Sequence, residues 1–307
     1  MKNFLKDIFV FLLLGIILGE VIARSFSLTS DIPNRFIDDN GIQKYIPNQI
    51  GSWKGGSHQW HINDKGWPGD LPKSFDNLIT IIGDSYIENF MNPDECRQSS
   101  YLRNLLPEYN FLEASRSGVS FIEAMEISKH LDTLNPRIQL IHVYDSDFLE
   151  SIVQIKKHGD ITQIDLNEKK ILHGKMQASG LKNILYNWKF IYYLYRRFPF
   201  NIGNEPETPK TKGFSEINTK RVDNLFAYKE LLEYVIDNYH IENTVLVFRP
   251  ESDIDLVNLT RKIGFRTLHL KKSEHENWSF DHDSHWNCSG HEKVALQVAI
   301  LLNKMMN

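Results

Sequence analysis

The chain has 307 residues, of which 41% are hydrophobic and 24% are charged, and this composition predicts a packed globular fold rather than a disordered chain. Its 35 basic and 39 acidic residues give a formal net charge of −4, with no dense basic patch, so the charge gives no indication of nucleic-acid binding. The length allows one large α/β domain with insertions, or two small domains.

The first 24 residues predict a membrane anchor. An apolar run over residues 8–19 follows a short lysine-containing segment, and Glu20 ends this run. Its length is near the lower limit for crossing a bilayer, about 17 residues. It is apolar on all faces, which disfavours a buried helix of a soluble protein. A cleaved secretory signal has a similar pattern, but no small-x-small site follows Ala23. We therefore predict an uncleaved signal-anchor over residues 1–24 with an exported, periplasmic or extracellular body, although Arg24 weakens the charge bias.

Residues 25–76 contain turn-forming glycines and prolines and predict an irregular exported segment before the folded domain. From residue 77 to 307, short apolar runs alternate with apolar residues at helical spacing, which predicts an α/β fold with a parallel sheet between helices. The predicted strands are Leu78–Ile82, Tyr109–Leu112, Ile138–Tyr144, Asn243–Phe248 and Arg266–Leu270. The predicted helices are Ser99–Leu106, Phe121–Leu134, Val222–Tyr239, Asp253–Ile263 and Gly290–Met305.

An insertion at about 150–215 interrupts this alternation. It includes an aromatic segment at 181–198 and a polar stretch at 204–213 that predicts an exposed loop or linker. An insertion between the third and fourth strands would lie over the carboxyl ends of the strands, where α/β sheets bind ligands. A lid, a membrane-proximal element and a packing helix without a functional role all fit this pattern.

A candidate nucleophile follows the first strand. Gly83, Asp84 and Ser85 stand where a buried strand turns into a helix, so Gly83 permits an unusual backbone and exposed N–H groups can face a developing oxyanion. Asp and Ser are also ordinary helix N-caps, so this tripeptide alone is a weak signal.

A candidate base and its orienting acid lie near the other end of the chain. Asp283 and His285 are one residue apart, on a predicted loop before the last helix. Together with Ser85 they have the residue types of a nucleophile, a general base and an acid that holds the imidazole tautomer. A polar helix start with a surface histidine is the alternative for this pair alone.

These motifs resemble a known superfamily. The run Ile82–Ser85 resembles the first block of the SGNH (GDSL) hydrolases, and Asp283–Asn287 with Gly290-His291 resembles the last block. The version with Trp286 after the histidine is similar to members associated with bacterial cell-surface polysaccharides, including alginate-type O-acetyltransferases, which commonly carry an N-terminal membrane anchor. Asn63–Trp67 is similar to a stretch that often precedes the first block.

The resemblance covers roughly residues 63–303, with 150–215 unmatched, and implies a three-layer, flavodoxin-like parallel sheet. It implies that Ser85 is the nucleophile, His285 the base and Asp283 the orienting acid. The Ser85 N–H would be one oxyanion donor. Gly118, in a stretch that resembles the second block, would supply the next, unless it only forms a tight turn.

The third block departs from the superfamily pattern. The pattern has an Asn whose amide donates to the oxyanion, but here Ser146 stands at that position, between Asp145 and Asp147. A hydroxyl reaches less far than a carboxamide. Loss of one oxyanion donor costs on the order of a hundredfold in rate. An inward-facing Asp145 would further disfavour negative charge.

Other residues complete the predicted site. Asp84 and Trp286 join Gly118 and Ser146 as candidates for oxyanion or substrate binding. A set of aromatic residues would either line a sugar-binding surface or pack in the core: Trp286, Trp278, Trp60, Trp67 and His282. Cys96 and Cys288 are either free thiols or one disulfide.

The sequence therefore predicts a serine-dependent acyl-ester hydrolase or O-acyltransferase. The acyl group would be acetyl and the substrate a cell-envelope carbohydrate. No metal or organic cofactor, nucleic acid or particular protein partner is implied. The alternatives are a catalytically silent polysaccharide-binding or scaffold protein and, third, a lipid or peptide esterase with residues 181–198 as an interfacial lid.

Overall fold

The structure is a computed structural model that describes residues 2–176, 180, 185–198 and 214–306. The chain forms two compact units. The first unit comprises Met1–Asn34, Ile50–Trp60 and Ala178–Thr211, and the second comprises Arg35–Gln49, His61–Gln177 and Lys212–Asn307.

The described helices and strands are labelled in chain order. The helices are α1 Lys2–Ser25, α2 Ser85–Glu88, α3 Gln98–Leu105, α4 Phe121–Leu131, α5 Asp145–Ser151, α6 Lys189–Arg197, α7 Phe214–Asn238, α8 Ile254–Ile263 and α9 Cys288–Met306. The strands are β1 Arg35–Ile37, β2 Gln43–Tyr45, β3 Ile50–Ser52, β4 Gln59–His61, β5 Leu78–Gly83, β6 Asn110–Ser115, β7 Ile138–Val143, β8 Gln163–Asp165, β9 Lys170–Leu172, β10 Thr244–Phe248, β11 Arg266–His269, β12 Ser279–Phe280 and β13 Asp283–Trp286.

A five-stranded sheet forms the centre of the second unit. Its order is β11-β10-β7-β5-β6, and every neighbouring pair is parallel. In the chain order of these five strands this is 2-1-3-4-5 read from the β6 edge, the flavodoxin-like order. The predicted parallel sheet is therefore confirmed. Ligands in such sheets bind at the carboxyl ends of the strands where the order reverses, here between β5 and β7.

Helices cover both faces of the sheet because successive side chains of a strand point to opposite faces, and the side chains on both faces are largely apolar. On β5, Leu78 and Ile82 join a core with residues of α4, α5, α7 and α8. Ile79 and Ile81 point to the opposite face and pack with residues of α3 and α9. This arrangement is the predicted three-layer architecture.

Helix α7 begins at Phe214, eight residues before the predicted start at Val222. Among the strands of the central sheet, the observed ends differ from the prediction chiefly at β6. The predicted strand ends at Leu112, but β6 continues to Ser115. Glu113 interrupts the apolar pattern although it is only 2% exposed. It is buried in the structure because Arg97 lies 3.1 Å away and the Ser99 N–H donates to it at 2.7 Å. A buried ion pair of this kind cannot be read from local hydrophobicity.

Two further segments are more regular than predicted. Residues 25–76 contain the four short strands β1–β4. Asp283–Trp286 is a strand, not the predicted loop, because it pairs antiparallel with β12, with Ser279 opposite Trp286. The candidate base therefore lies on a hairpin.

The first unit contains the apolar N-terminal helix. By length and composition, Asn3–Ser25 is the one described helix that could cross a membrane, with a mean hydropathy of 2.2. The same properties fit a membrane anchor or a signal sequence.

Part of the 150–215 insertion belongs to the core of the second unit. Strands β8 and β9 form a hairpin, and Ile152 and Ile164 are fully buried. The polar stretch at 204–213 lies outside the described residues, as do residues 181–184 of the aromatic segment.

Candidate active site

A cleft of about 450 Å³ opens at the carboxyl ends of the central strands. Residues that follow β5, β7 and β10 meet there with residues of the β12–β13 hairpin, as expected for this strand order. The lining residues are Asp84, Ser85, Tyr86, Tyr144, Ser146, Arg249, Glu251, Lys272, Trp278, Ser279, Ser284, His285 and Trp286.

Ser85 is the first residue of α2 and directly follows the end of β5. Asp84 is the N-cap, and its carboxylate accepts a hydrogen bond from the Tyr86 N–H at 2.9 Å. At Gly83 there is no room for a side chain, because an added Cβ would lie 2.6 Å from Ile87. The sharp strand-to-helix turn predicted for Gly83-Asp84-Ser85 is therefore present.

The three predicted catalytic residues lie in one hydrogen-bonded chain. Ser85 Oγ is 2.8 Å from His285 Nε2, and His285 Nδ1 is 2.5 Å from Asp283 Oδ1. Since an ionised carboxylate only accepts, Nδ1 carries the proton and Nε2 is free to accept the serine proton. The His285 backbone N–H also donates to Asp283 at 2.9 Å. These bonds from His285 lower the pKa of Asp283, which favours its ionised form.

Several contacts hold the hairpin that carries His285. The Tyr86 hydroxyl donates to the Ser284 carbonyl at 3.1 Å, and its ring lies 4.5 Å from the His285 ring. The Asn92 side chain donates to the Trp286 carbonyl at 2.9 Å. The α2–α3 region that follows Ser85 therefore also positions the candidate base.

Cys96 and Cys288 form a disulfide bond, which resolves the choice left open by the sequence. Their Cα atoms are 5.0 Å apart, and 192 residues separate them along the chain. Cys288 is three residues after His285, and Cys96 is eleven residues after Ser85. The covalent link therefore joins the segment of the candidate nucleophile to the segment of the candidate base.

Arg249 is the principal cleft residue that the sequence analysis missed. It follows β10, and its Nη2 atom is 2.7 Å from Asp84 Oδ2. Its guanidinium carbon lies 3.3 Å from the centre of the Tyr86 ring and 4.7 Å from that of Tyr144. The sequence contained one signal for this residue. Arg249 is a polar residue directly after the fourth strand, and that position also lies at the carboxyl edge of the sheet.

The acidic residues around Ser146 do not line the cleft. Ser146 is a lining residue, and its predicted part in oxyanion or substrate binding stays a prediction, but Asp145 and Asp147 are not among the lining residues. Asp145 accepts a hydrogen bond from the Asp253 N–H at 2.9 Å. Asp147 accepts from the Tyr144 N–H at 2.7 Å, and burial together with the charge of Asp84 raises its pKa well above the ordinary value. The geometry therefore gives no support for an Asp145 carboxylate that points toward a developing oxyanion.

Gly118 is not among the cleft-lining residues. It has a φ of +78°, which suits glycine, and lies in the turn between β6 and α4. The neighbouring Ser117 N–H donates to buried Glu88 at 2.7 Å. The roles predicted for the N–H groups of Gly118 and Ser85 stay predictions.

The predicted aromatic surface is largely buried. Trp60 and Trp67 are 2% and 1% exposed and do not line the cleft, so the packing alternative applies to them. Trp278 and Trp286 line it but are only 1% and 4% exposed. They form the wall of the cleft and offer no open ring face. His282 is exposed and lies outside the lining set.

Two buried histidines lie behind this wall. The ring of His142 is 6.3 Å from that of Trp286, and the ring of His291 is 5.6 Å from it. Burial, with the charges of Arg249 for His142 and Arg97 for His291 as further causes, lowers the pKa of each to about 3. Both imidazoles are therefore neutral in the folded protein near neutral pH.

In the part of the chain that the structure describes, no group of three or more His, Cys, Asp or Glu side chains is arranged to hold a metal ion.

In the comparison with known proteins, similarity is found only among solved structures. No protein-family model matches the chain, and no curated protein matches it significantly. Among solved structures, it is similar to the crystal structure of a protein described as a GDSL-like lipase from Bacteroides ovatus ATCC 8483, with 15% identity and a TM-score of 0.35. The match covers 77% of this chain and 100% of that chain. A similarity this low supports no conclusion about the activity, which is inferred from the geometry of the cleft.

Proposed function

We propose that this protein is a serine-dependent acyl-ester hydrolase or O-acyltransferase of the SGNH (GDSL) type. One observation carries the proposal: Ser85, His285 and Asp283 form a continuous hydrogen-bonded chain, and Ser85 and His285 line an open cleft.

The proposed reaction has two halves. Ser85 Oγ attacks the ester carbonyl carbon while its proton passes to His285 Nε2. The bond to the leaving alcohol then breaks, His285 returns the proton to that oxygen, and an acyl ester remains on Ser85. A second hydroxyl, of water or of a sugar, gives its proton to His285 and attacks the acyl carbon. Ser85 leaves and regains the proton. Water makes the protein an esterase, and a sugar hydroxyl makes it a transferase.

The oxyanion that forms in each half needs positive or donor groups. The candidates are the Ser85 and Gly118 N–H groups and the Ser146 hydroxyl. Arg249 also contributes a positive charge inside the cleft, close to Ser85 through its ion pair with Asp84. We propose that this charge partly compensates for the Asn that Ser146 replaces.

We propose a carbohydrate as the acceptor or substrate, with acetyl as the acyl group. The support is the resemblance of Asp283–Asn287 to polysaccharide-modifying members, the apolar N-terminal helix, and a cleft lined by hydroxyl and charged groups. The disulfide fits an oxidising compartment and therefore an exported domain.

A catalytically silent polysaccharide-binding or scaffold protein is the second candidate. It is favoured by Ser146 at the position of the superfamily Asn. The hydrogen bond between Ser85 and His285 argues against it, because ligand binding alone does not require a serine paired with a histidine base.

Hydrolysis of p-nitrophenyl acetate by the purified full-length chain in detergent tests the proposal. Ser85→Ala and His285→Ala should abolish turnover. Ser289→Ala, at an exposed position in the first turn of α9, should not change it. A fluorophosphonate should label the wild type but not Ser85→Ala. If the wild type neither turns over the ester nor reacts with the fluorophosphonate, the binding or scaffold function replaces this proposal. Adding candidate sugar acceptors to active protein then separates hydrolase from transferase.

A further inference from the structure

Helix α6, in the first unit, carries an exposed apolar stripe. Four apolar side chains have helical spacing i, i+3, i+4 and i+7, and Trp188 precedes them by one further turn. The members of this apolar stripe and their exposed fractions are Trp188 43%, Ile191 38%, Leu194 37%, Tyr195 46% and Phe198 62%. A soluble protein rarely leaves such a contiguous aromatic surface in water.

The opposite side of α6 packs within the first unit. Lys189 and Tyr192 are each 8% exposed. The Lys189 ammonium donates to the Ser30 carbonyl at 3.0 Å and is ion-paired with Asp31. These contacts fix the rotation of α6, so the apolar stripe faces outward for a structural reason.

The start of α6 is attached to the apolar helix α1. The Glu20 carboxylate accepts from the Lys189 and Phe190 N–H groups at 3.2 and 2.8 Å. It thereby satisfies two of the first N–H groups of α6, which have no partner within a helix. Arg24 binds Glu20 at 2.7 Å and also donates to the Asn187 carbonyl at 2.7 Å.

Gly19 allows this close approach. A Cβ at that position would lie 2.6 Å from the Phe190 ring, so a larger residue would push α6 away from α1. The polar pair Glu20–Arg24 marks the end of the apolar run, where a spanning helix would leave the hydrocarbon core. Helix α6 therefore begins at the depth of the membrane boundary.

The composition of α6 suits that depth. Aromatic side chains with one polar end, such as Trp188 and Tyr195, concentrate at membrane–water interfaces. Arg196 and Arg197 are exposed next to the stripe, and their charges complement the phosphates of anionic lipids. Helix α1, which contacts the start of α6, is itself exposed along most of its length.

We propose that α6 lies in the interface of the membrane that α1 spans. Its apolar stripe inserts beside the acyl chains, and Arg196 and Arg197 bind the lipid phosphates. Because Glu20 and Arg24 of α1 hold the start of α6, this arrangement requires that α1 stays in the mature protein. This inference does not depend on the proposed enzymatic activity.

Spin labels on the full-length chain test the proposal in nanodiscs that contain anionic lipid. Both native cysteines are in the disulfide, so one introduced cysteine can be labelled specifically. Tyr195→Cys reports on the apolar stripe and Arg196→Cys on the adjacent position. Lys229→Cys, whose side chain is 54% exposed in the second unit, is the control for contact with water. Collisions with oxygen, which concentrates in lipid, are compared with collisions with a water-soluble nickel chelate.

The label at 195 should have a higher oxygen-to-nickel collision ratio than those at 196 and 229, by several-fold. A ratio at 195 equal to that at 229 would overturn the proposal, because the stripe would then face water. A label at 195 that neither reagent reaches would also overturn it and would indicate that protein, such as a second copy or another part of the chain, covers the stripe. In a Glu20→Ala background, the contrast between positions 195 and 196 should diminish.

Discussion

Asp84 and Arg249 form an ion pair, 2.7 Å apart, that links the carboxyl ends of β5 and β10 across 165 positions of sequence. Their side chains are 15% and 12% exposed, so each charge depends on the other for compensation. Asp84 is also the N-cap of the helix that begins with Ser85. The pair therefore connects the position of the candidate nucleophile to the positive charge of the cleft.

Replacing Arg249 should impair both stability and activity. Arg249→Gln leaves the Asp84 charge poorly solvated and should cost about 3 kcal/mol in the free energy of unfolding, the lower end for breaking a buried pair. Asp84→Asn/Arg249→Gln should recover part of that loss, since Asn can still cap the helix. Denaturant unfolding measures this recovery, and ester hydrolysis should remain low in both variants. If the double variant regained full activity, Arg249 would have no role beyond neutralising Asp84.

Asp283 should contribute to turnover, by orienting His285, and little to the stability of the fold. Asp283→Asn changes the partner of Nδ1 and favours the wrong imidazole tautomer, so turnover should fall by roughly three to four orders of magnitude. The thermal midpoint should change little because both side chains are partly exposed. Steady-state hydrolysis and thermal unfolding of the same preparation provide the comparison. An equally active Asp283→Asn protein would remove Asp283 from the proposed site.

The disulfide should stabilise the fold and keep His285 in place. Cys96→Ser/Cys288→Ser should lower the free energy of unfolding by about 2–5 kcal/mol, because the bond closes a very long loop. Reductant should destabilise the wild type by a similar amount and leave the double variant unchanged. Ester hydrolysis is then measured at a temperature below the unfolding transitions of both the wild type and the double variant. We expect lower turnover in the variant, because the β12–β13 hairpin that carries His285 is less firmly held.

Acid should destabilise the protein through its buried histidines. The folded pKa of His142 is lowered to about 3, so the unfolded chain binds the proton first as the pH falls below about 6.5. The stability associated with neutral His142 is complete above that pH and is lost between about 6.5 and about 3. Each such histidine contributes a slope of about 1.4 kcal/mol per pH unit. In His142→Leu, the slope of the unfolding free energy against pH should be smaller by that amount. An unchanged slope would contradict the prediction and would show that His142 is protonated or hydrated in the folded state.

Gly290 should tolerate no side chain. An added Cβ would lie 2.3 Å from the Trp278 carbonyl oxygen, a backbone atom of the segment that leads into β12. Gly290→Ala should therefore destabilise the protein by about 1–3 kcal/mol and displace the hairpin of His285. Ser289→Ala, at the adjacent exposed position, is the matched control. Equal thermal midpoints for the two variants would contradict the close contact between α9 and Trp278.

The sequence predicts the sheet well because its strands are buried on both faces and are therefore continuously apolar. The start of α4 at Phe121 and the place of Ser85 directly after the first strand follow from the same pattern. The prediction from sequence fails where a buried polar group is compensated by a partner that is distant in sequence. The end of β6 was not predicted because Glu113 is charged, and its burial depends on the ion pair with Arg97. Arg249 was not predicted as a site residue because its partner, Asp84, is far away in sequence.

The hairpin and the disulfide were unpredictable for a related reason. Asp283–Trp286 has few apolar residues, and its strand conformation depends on pairing with Ser279 and Phe280. Two cysteines fit either a bonded or a free state until their distance is known. The apolar stripe of α6 is visible in the sequence as aromatic residues, but its outward orientation depends on the contacts of Lys189 and Glu20.

The position of the disulfide has a consequence for limited proteolysis. Any single cut of the backbone between residues 97 and 285 leaves one fragment with Ser85 and Cys96 and another with His285 and Cys288. The two pieces stay covalently joined, so a nicked molecule would migrate intact on a non-reducing gel and separate only after reduction. A protease that clips a surface loop in this span would thus leave nucleophile and base tethered in one particle.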